Sequence, residues 1–542
     1  MRSSAQTTPH IGSAPGDWSP KHLAVLVVLA LFAFAVMGYH PGLEDDAFYL
    51  AAIKRDLNPA LYPHDSEFFR LQFQATTFDR LIAFSVKLSH LPLQWALLLW
   101  QFAAIFLLLH GCWRIARRCF TKPEAQWAAV TMIAVLLTLP VSGTALNMAD
   151  QHLHPRTLAT AAILAAIVAV IDRRFFLGGI LMAVAVAIHA LMASFAISFC
   201  AFLLLRLRTS ERHRQSAIPM AGCLLIPFGW MFEPASDAWR QAAATRQFYF
   251  LAQWHWYEWL GLFAPLVLLY ILRQFLQARS EWSHGVALIP LVSAVLYYGA
   301  FQTVVGLALM LPPSLERVRP FEPMRYLHLV YVMFFLLAGG FLGHYLLDRR
   351  VVRWLLLFIP LGAAMFYAQR QLYPASAHVE WPGMAPKNAW LQAFAWIRQN
   401  TAIDSLFALD PRYTTLPGED YHAFRALAER GAIADYDKDG GMAARVPRLA
   451  PRWLKEVTAL NGWRNFQLDD FLRLKNEFGV NWVVLTRDDA IFSNAAGAGG
   501  LAADPQLVGI GLPNENHAKG NASSDGMTCP YRNPQLLVCR LY

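Results

Sequence analysis

Apolar positions in this chain run in long unbroken blocks rather than in alternation. Leu23 to Met37 carries no polar side chain. Comparable blocks occupy roughly 93–113, 126–146, 157–171, 175–205, 217–232, 257–272, 285–311, 326–347 and 354–369. A helix crosses a bilayer in about 20 apolar residues. At ~1.5 Å per residue the 175–205 block would reach about 46 Å, too long for one crossing. It therefore reads as two short helices turning near His189, which gives about eleven spans. The pattern changes at both ends of the membrane region. Residues 40–92 form a long first outer loop, with apolar positions at helical spacing over 78–88 that suit amphipathic helices on the membrane surface. Residues 385–542 mix charged, glycine and apolar positions. They predict helices at 387–400, 420–430, 451–460 and 468–478 and strands at 405–409, 432–436, 480–486 and 536–542. Such alternation points to a small soluble α/β domain. Residues 494–500 and 514–526 read as flexible loops.

Composition agrees with this division. Only 15% of the 542 residues are charged and 56% are hydrophobic, which excludes a single water-soluble globule and excludes disorder. The net charge of +9 reads mainly as the basic bias of cytoplasmic loops, and nucleic acid is not an expected partner. Basic groups mark one set of loops: Arg114, Arg117, Arg118 and Lys122, then Arg173 and Arg174, Arg206 to Arg214, Arg273 and Arg279, and Arg349 to Arg353. They alternate with the other loops only if 175–205 crosses twice. The expected organisation is a disordered cytoplasmic tail (1–20), a membrane domain (21–372) and an extracytoplasmic domain (385–542). Cys112, Cys119, Cys200 and Cys223 read as small hydrophobes. Cys529 and Cys539 are the only pair in the tail, where an oxidising compartment would allow a disulfide.

Four groups could carry chemistry. Glu44, Asp45 and Asp46 follow the first span. Adjacent carboxylates there suit a solvated helix start, a cation, or a general base with a raised pKa. The outer loop Asp150-Gln151-His152-Leu153-His154-Pro155-Arg156 packs an acid, two imidazoles and a guanidinium ahead of a helix. Arginine at a helix start suits phosphate, while the HxH spacing also allows a metal or a plain interfacial loop. His189 stands inside an uncharged stretch, as a functional group or as a cap of the turn. Arg317, Arg319 and Arg325 break the inner bias of basic residues and suit a lipid phosphate or ordinary ion pairs with Glu316 and Glu322. No P-loop, GxGxxG, HExxH or GxSxG is present.

One span, an acidic motif opening a long outer loop, a many-span bundle and an outer soluble tail together resemble the GT-C superfamily of integral-membrane glycosyltransferases. Glu44-Asp45-Asp46, the loop after it, His154-Pro155-Arg156 and the segment from Asn388 to Thr401 carry the resemblance. It implies an enzyme of the bacterial inner membrane with its N-terminus in the cytoplasm and its C-terminal domain in the periplasm. The implied reaction transfers a sugar from a polyprenyl-phosphate donor to a glycan, lipid or protein acceptor. Asp45 or Asp46 would be the base, with Glu44 in support. Arg156, His154, His152, Arg317, Arg319 and Arg325 would hold the donor phosphate, with Asp150 and His189 as further members. Some members of the superfamily hold a divalent metal, magnesium or manganese, for which Asp45, Asp46 and His152 would be the ligands here. A transporter or flippase of a lipid-linked glycan, and a non-catalytic assembly protein on the same fold, are the competing readings.

Overall fold

The computed structural model describes residues 19–69, 76–209, 234–278, 287–416, 418, 420, 422–492 and 526–542. The expected span at 217–232 with Cys223, the N-terminal tail through residue 18, and the loops at 494–500 and 514–525 lie outside these residues. The chain divides into two compact units. One comprises Met1–Pro41, Gln74–Ala235 and Arg246–Leu372, and the other Gly42–Phe73, Ser236–Thr245 and Tyr373–Tyr542.

The first unit is helical and belongs to a multi-pass membrane protein. Among the described residues seven helices are long and apolar enough to cross a bilayer: Pro20–Met37, Leu93–Cys119, Phe175–Leu207, Trp256–Gln277, Leu288–Met310, Pro323–Leu347 and Val351–Leu372. Pro155–Ile171 is shorter and is buried on nearly every face, as a helix apolar all round must be. The block expected to cross at 126–146 is instead a helix of 13 residues, Pro123–Val135, reaching about 20 Å. The chain then turns into a two-stranded ribbon, Pro140–Val141 against Leu146–Asn147. Gly143 makes that turn in the left-handed region, φ 64°.

Helix Pro123–Val135 packs closely on Leu327–Leu342 because Gly339 faces its backbone: a Cβ there would stand 2.7 Å from the Ala128 carbonyl. Gly343, four residues on, meets the Glu124 carbonyl in the same way, so the pair forms a small-residue seam of the kind used between membrane helices. Arg118 closes one end of the unit with a fork onto Asp172, at 2.6 and 2.5 Å.

The 175–205 block is broken at His189, where φ −155° and ψ 88° depart from helix. The break frees two carbonyls, and both are satisfied. Thr77 N–H donates to Ala187 O at 2.9 Å, and Thr76 Oγ1 donates to Ile188 O at 2.5 Å. Inside a bilayer such a break survives only with partners of this kind.

The second unit is α/β. Its sheet runs in the order Gly431–Ala432, Leu406–Ala408, Trp482–Thr486, Leu536–Leu541, Met527–Arg532. The first three strands are parallel and the last two antiparallel. Alternation puts Phe407, Val484 and Val538 into one core with Trp390, Phe394 and Ile397. Leu406, Ala408, Val483 and Leu485 enter the other with Trp463 and Phe471. The last two strands carry Cys529 and Cys539, which form a disulfide. Strand Met527–Arg532 and helix Lys438–Arg445 were not expected; the first is short and polar on its open side, the second carries two glycines.

The first half of the outer loop belongs to this unit rather than to a membrane surface. Leu43 bridges His422, and Ala423 N–H donates to Gly42 O at 2.8 Å. Helix Asp46–Leu57 buries Ala47 to Ile53, and Lys54 pairs with Glu429 at 2.7 Å. Arg425 holds the loop most firmly. Its guanidinium bonds Asp65, Asp439 and the Ala432 carbonyl, and Ala432 N–H donates to Asp65 at 3.0 Å. Helix Phe78–Ser89, by contrast, is in the membrane unit and exposes Phe84 and Leu88 along its apolar side.

Candidate functional site

The loop before helix Pro155–Ile171 folds inward. His40 N–H donates to Gln151 O at 2.8 Å, and Gln101 Nε2 donates to Asp150 O at 2.9 Å. Pro155 opens the helix and His154 caps it, its Nδ1 accepting from Arg156 N–H at 3.0 Å. Arg156 Nη2 forms an ion pair with Asp150, whose second oxygen lies 3.7 Å from His154 Nδ1. His152 and His154 meet edge to face at 5.8 Å, and His154 lies 6.4 Å from His189.

Several donors in this nest stay unused. Arg156 is 2% exposed, yet among the described residues its Nε and Nη1 have no hydrogen-bond partner. The same holds for both ring nitrogens of His152 and for Thr157 Oγ1. Leaving a buried polar group unpaired costs on the order of 1–3 kcal/mol, and more for a charged one. Arg156 and Thr157 sit in the first turn of the helix, where the positive end of its dipole favours an anion.

His189 does what a turn histidine would: its Nδ1 accepts from Met192 N–H at 3.4 Å, capping the second helical segment. A fourth imidazole, His328, was missed in the sequence. It sits fully buried on helix Leu327–Leu342, bonds the Met148 carbonyl at 2.9 Å, and has Arg156, Asp150 and Arg325 as its charged neighbours. A lone histidine in an apolar run was the available signal.

Through His328 the loop 150–156 and Arg325 come together. Arg325 also pairs with Glu322 and lines a narrow cleft with Arg319, Phe248 and Tyr249. Arg319 stacks on Phe250 at 5.2 Å. Arg317 donates to the Pro234 carbonyl at 2.8 Å. All six expected phosphate ligands therefore belong to the membrane unit.

The acidic motif lies in the second unit. Asp46 is 5% exposed and accepts from Gly42 N–H at 2.7 Å, closing the turn that starts its helix. Asp45 meets Lys438 Nζ at 3.0 Å and is the more accessible of the two. Glu44 takes the left-handed conformation, φ 43°. Among the described residues no group of three His, Cys, Asp or Glu side chains is arranged to hold a metal.

Compared with known proteins, the chain matches no family model, and no curated protein is significantly similar to it.

Proposed function

We propose that this protein is a membrane glycosyltransferase of GT-C type that takes its sugar from a polyprenyl-phosphate donor on the extracytoplasmic face. The observation that carries the reading is the nest of unused donors on His152, Arg156 and Thr157 in an apolar helical unit. A phosphate on a greasy chain is the anion that reaches such a place, and arginine's planar fork suits its oxygens. Asp150 neutralises Arg156 in the resting state and fixes its plane. Asp45, accessible and set in a turn that Asp46 closes, is the base for the acceptor hydroxyl.

The finer topology goes with this reading: a bacterial inner membrane, the N-terminus inside and the tail in the periplasm. Membrane vesicles supplied with labelled polyprenyl-phosphate sugar test it. A labelled covalent product, lost in Asp45→Asn with the protein still folded, is expected. Movement of the labelled lipid without any product would instead make the chain a flippase.

A further inference from the structure

In the membrane unit, helices Pro20–Met37 and Pro123–Val135 pack on each other and on Leu93–Cys119. Ring contacts bring the starts of the first two to the end of the third. His22, in the first turn of Pro20–Met37, lies 5.0 Å from Trp113 and 5.9 Å from Trp127. The two indoles stack at 5.8 Å.

Neither helix start is closed by a side chain. Each has proline as its first residue, and neither N-cap, Ser19 or Lys122, makes a side-chain hydrogen bond. First-turn amide hydrogens have no intrahelical acceptor, and the positive end of each helix dipole adds to them. Glu124 is the one carboxylate in either first turn, and Arg349 takes it up at 2.9 Å. Three cations surround the junction. Lys21 and Lys122 are exposed and, among the described residues, make no ion pair. Arg117 lies over the Trp113 ring at 5.0 Å.

Two ring nitrogens are also unspent. Trp113 is 1% exposed, and among the described residues neither its Nε1 nor His22 Nδ1 has a hydrogen-bond partner. An indole N–H can only donate, and a buried Trp usually finds an acceptor for it. Packing alone would be served by phenylalanine. Cations, open helix starts and spare N–H groups together call for an anion with several acceptor oxygens, which is a phosphate.

The surroundings indicate where that phosphate comes from. Val25 and Val28, one and two turns beyond Lys21 on the same side of the helix, are 41% and 62% exposed, and Leu31 continues the row at 53%. In a bilayer this row faces acyl chains, and stacked indoles suit the interface above them. A phosphate anchored to acyl chains uses both the charged junction and the apolar row, whereas free phosphate uses only the first. A zwitterionic headgroup would bring its own cation against three others.

We infer that this junction binds the phosphodiester of an anionic phospholipid. Lys21 and Lys122 are its charge contacts, and the open helix starts, Trp113 and His22 are its donors. The site does not depend on the transferase reaction.

The test titrates full-length protein, delipidated in neutral detergent, with phosphatidylglycerol, with phosphatidylcholine of the same chains, and with inorganic phosphate. Native mass spectrometry reads the first bound lipid. Phosphatidylglycerol binds saturably and at least about tenfold more tightly than phosphatidylcholine, and millimolar phosphate does not displace it. Lys21→Gln with Lys122→Gln, both at exposed positions, weakens binding at least about tenfold. Trp113→Phe keeps a ring, removes the N–H and weakens binding at least about threefold. Arg173→Gln with Arg174→Gln removes the same charge from another turn and leaves binding within about threefold of wild type. Equal affinity for the two lipids, or an equal loss in the lysine and arginine variants, would reduce the junction to bulk charge and overturn the inference. Displacement by inorganic phosphate would overturn the lipid as its occupant, and unchanged binding in Trp113→Phe would overturn the indole as a donor.

Discussion

Arg425→Met removes one cation from a closed network while keeping an apolar stem of similar length. The side chains of Arg425, Asp65 and Asp439 are 7%, 1% and 0% exposed, so solvent screens none of them. In the variant two buried carboxylates face each other without a counter-ion, and the Ala432 carbonyl loses a donor. Breaking a buried ion pair in this way costs about 3–5 kcal/mol. Because the chain has two units, a single unfolding free energy is ill defined, and a local measurement is needed. Hydrogen exchange of the intact protein, read over residues 46–57 and 424–445, supplies it. At about 1.4 kcal/mol per factor of ten, protection falls by about 10²-fold to about 4 × 10³-fold in both stretches together. Asp65→Asn combined with Asp439→Asn in the Arg425→Met background recovers part of the loss, since the orphaned charges are gone. Protection within threefold of wild type in residues 46–57 would refute the claim that Arg425 ties the first outer loop into the tail.

Three further outcomes are expected. Burial raises the carboxyls of Asp435 to about 7 and Asp489 to about 6 from 3.8, so the folded state binds more protons than the unfolded state, and stability is lost as pH rises through those values; protection in the tail, taken relative to the intrinsic exchange rate at each pH, is therefore greater at pH 5 than at pH 8, and Asp435→Asn with Asp489→Asn flattens that difference. The disulfide Cys529–Cys539 closes a loop of sequence separation 10, worth about 2–3 kcal/mol, so Cys529→Ser with Cys539→Ser lowers tail protection accordingly, and thiol labelling of the wild-type protein in intact cells fails at both positions until a reductant is added. Gly339→Leu drives a side chain into the Ala128 backbone and should abolish recovery of folded protein, whereas Leu356→Ala, on an exposed face, leaves recovery unchanged.

The membrane blocks were legible because apolar runs need no partner to be recognised. His189 was legible for the same reason: a polar residue midway along a run too long for one crossing marks the break. The 126–146 block was misread because composition carries no sign of where a helix stops, and this one stops at Val135. The tail strands followed from alternation, yet Met527–Arg532 did not, since its outer positions are polar. What the sequence could not reveal is non-local. Asp65 meets Arg425 across 360 positions, and only the folded chain assigns residues 42–69 to the tail. The donor nest was half visible. His152, His154 and Arg156 lie within five positions, whereas His328 reaches them from a distant helix.

Arg156→Lys addresses the central claim most directly. It keeps the charge that balances Asp150 but loses the Nε and Nη1 donors that stand unused. Binding of decaprenyl phosphate to the full-length protein in neutral-lipid nanodiscs, followed by native mass spectrometry, is the measurement. The account predicts saturable binding by wild type, weakened at least about tenfold by Arg156→Lys and further by adding His152→Gln, with folding unchanged. Equal affinity in wild type and both variants would contradict it.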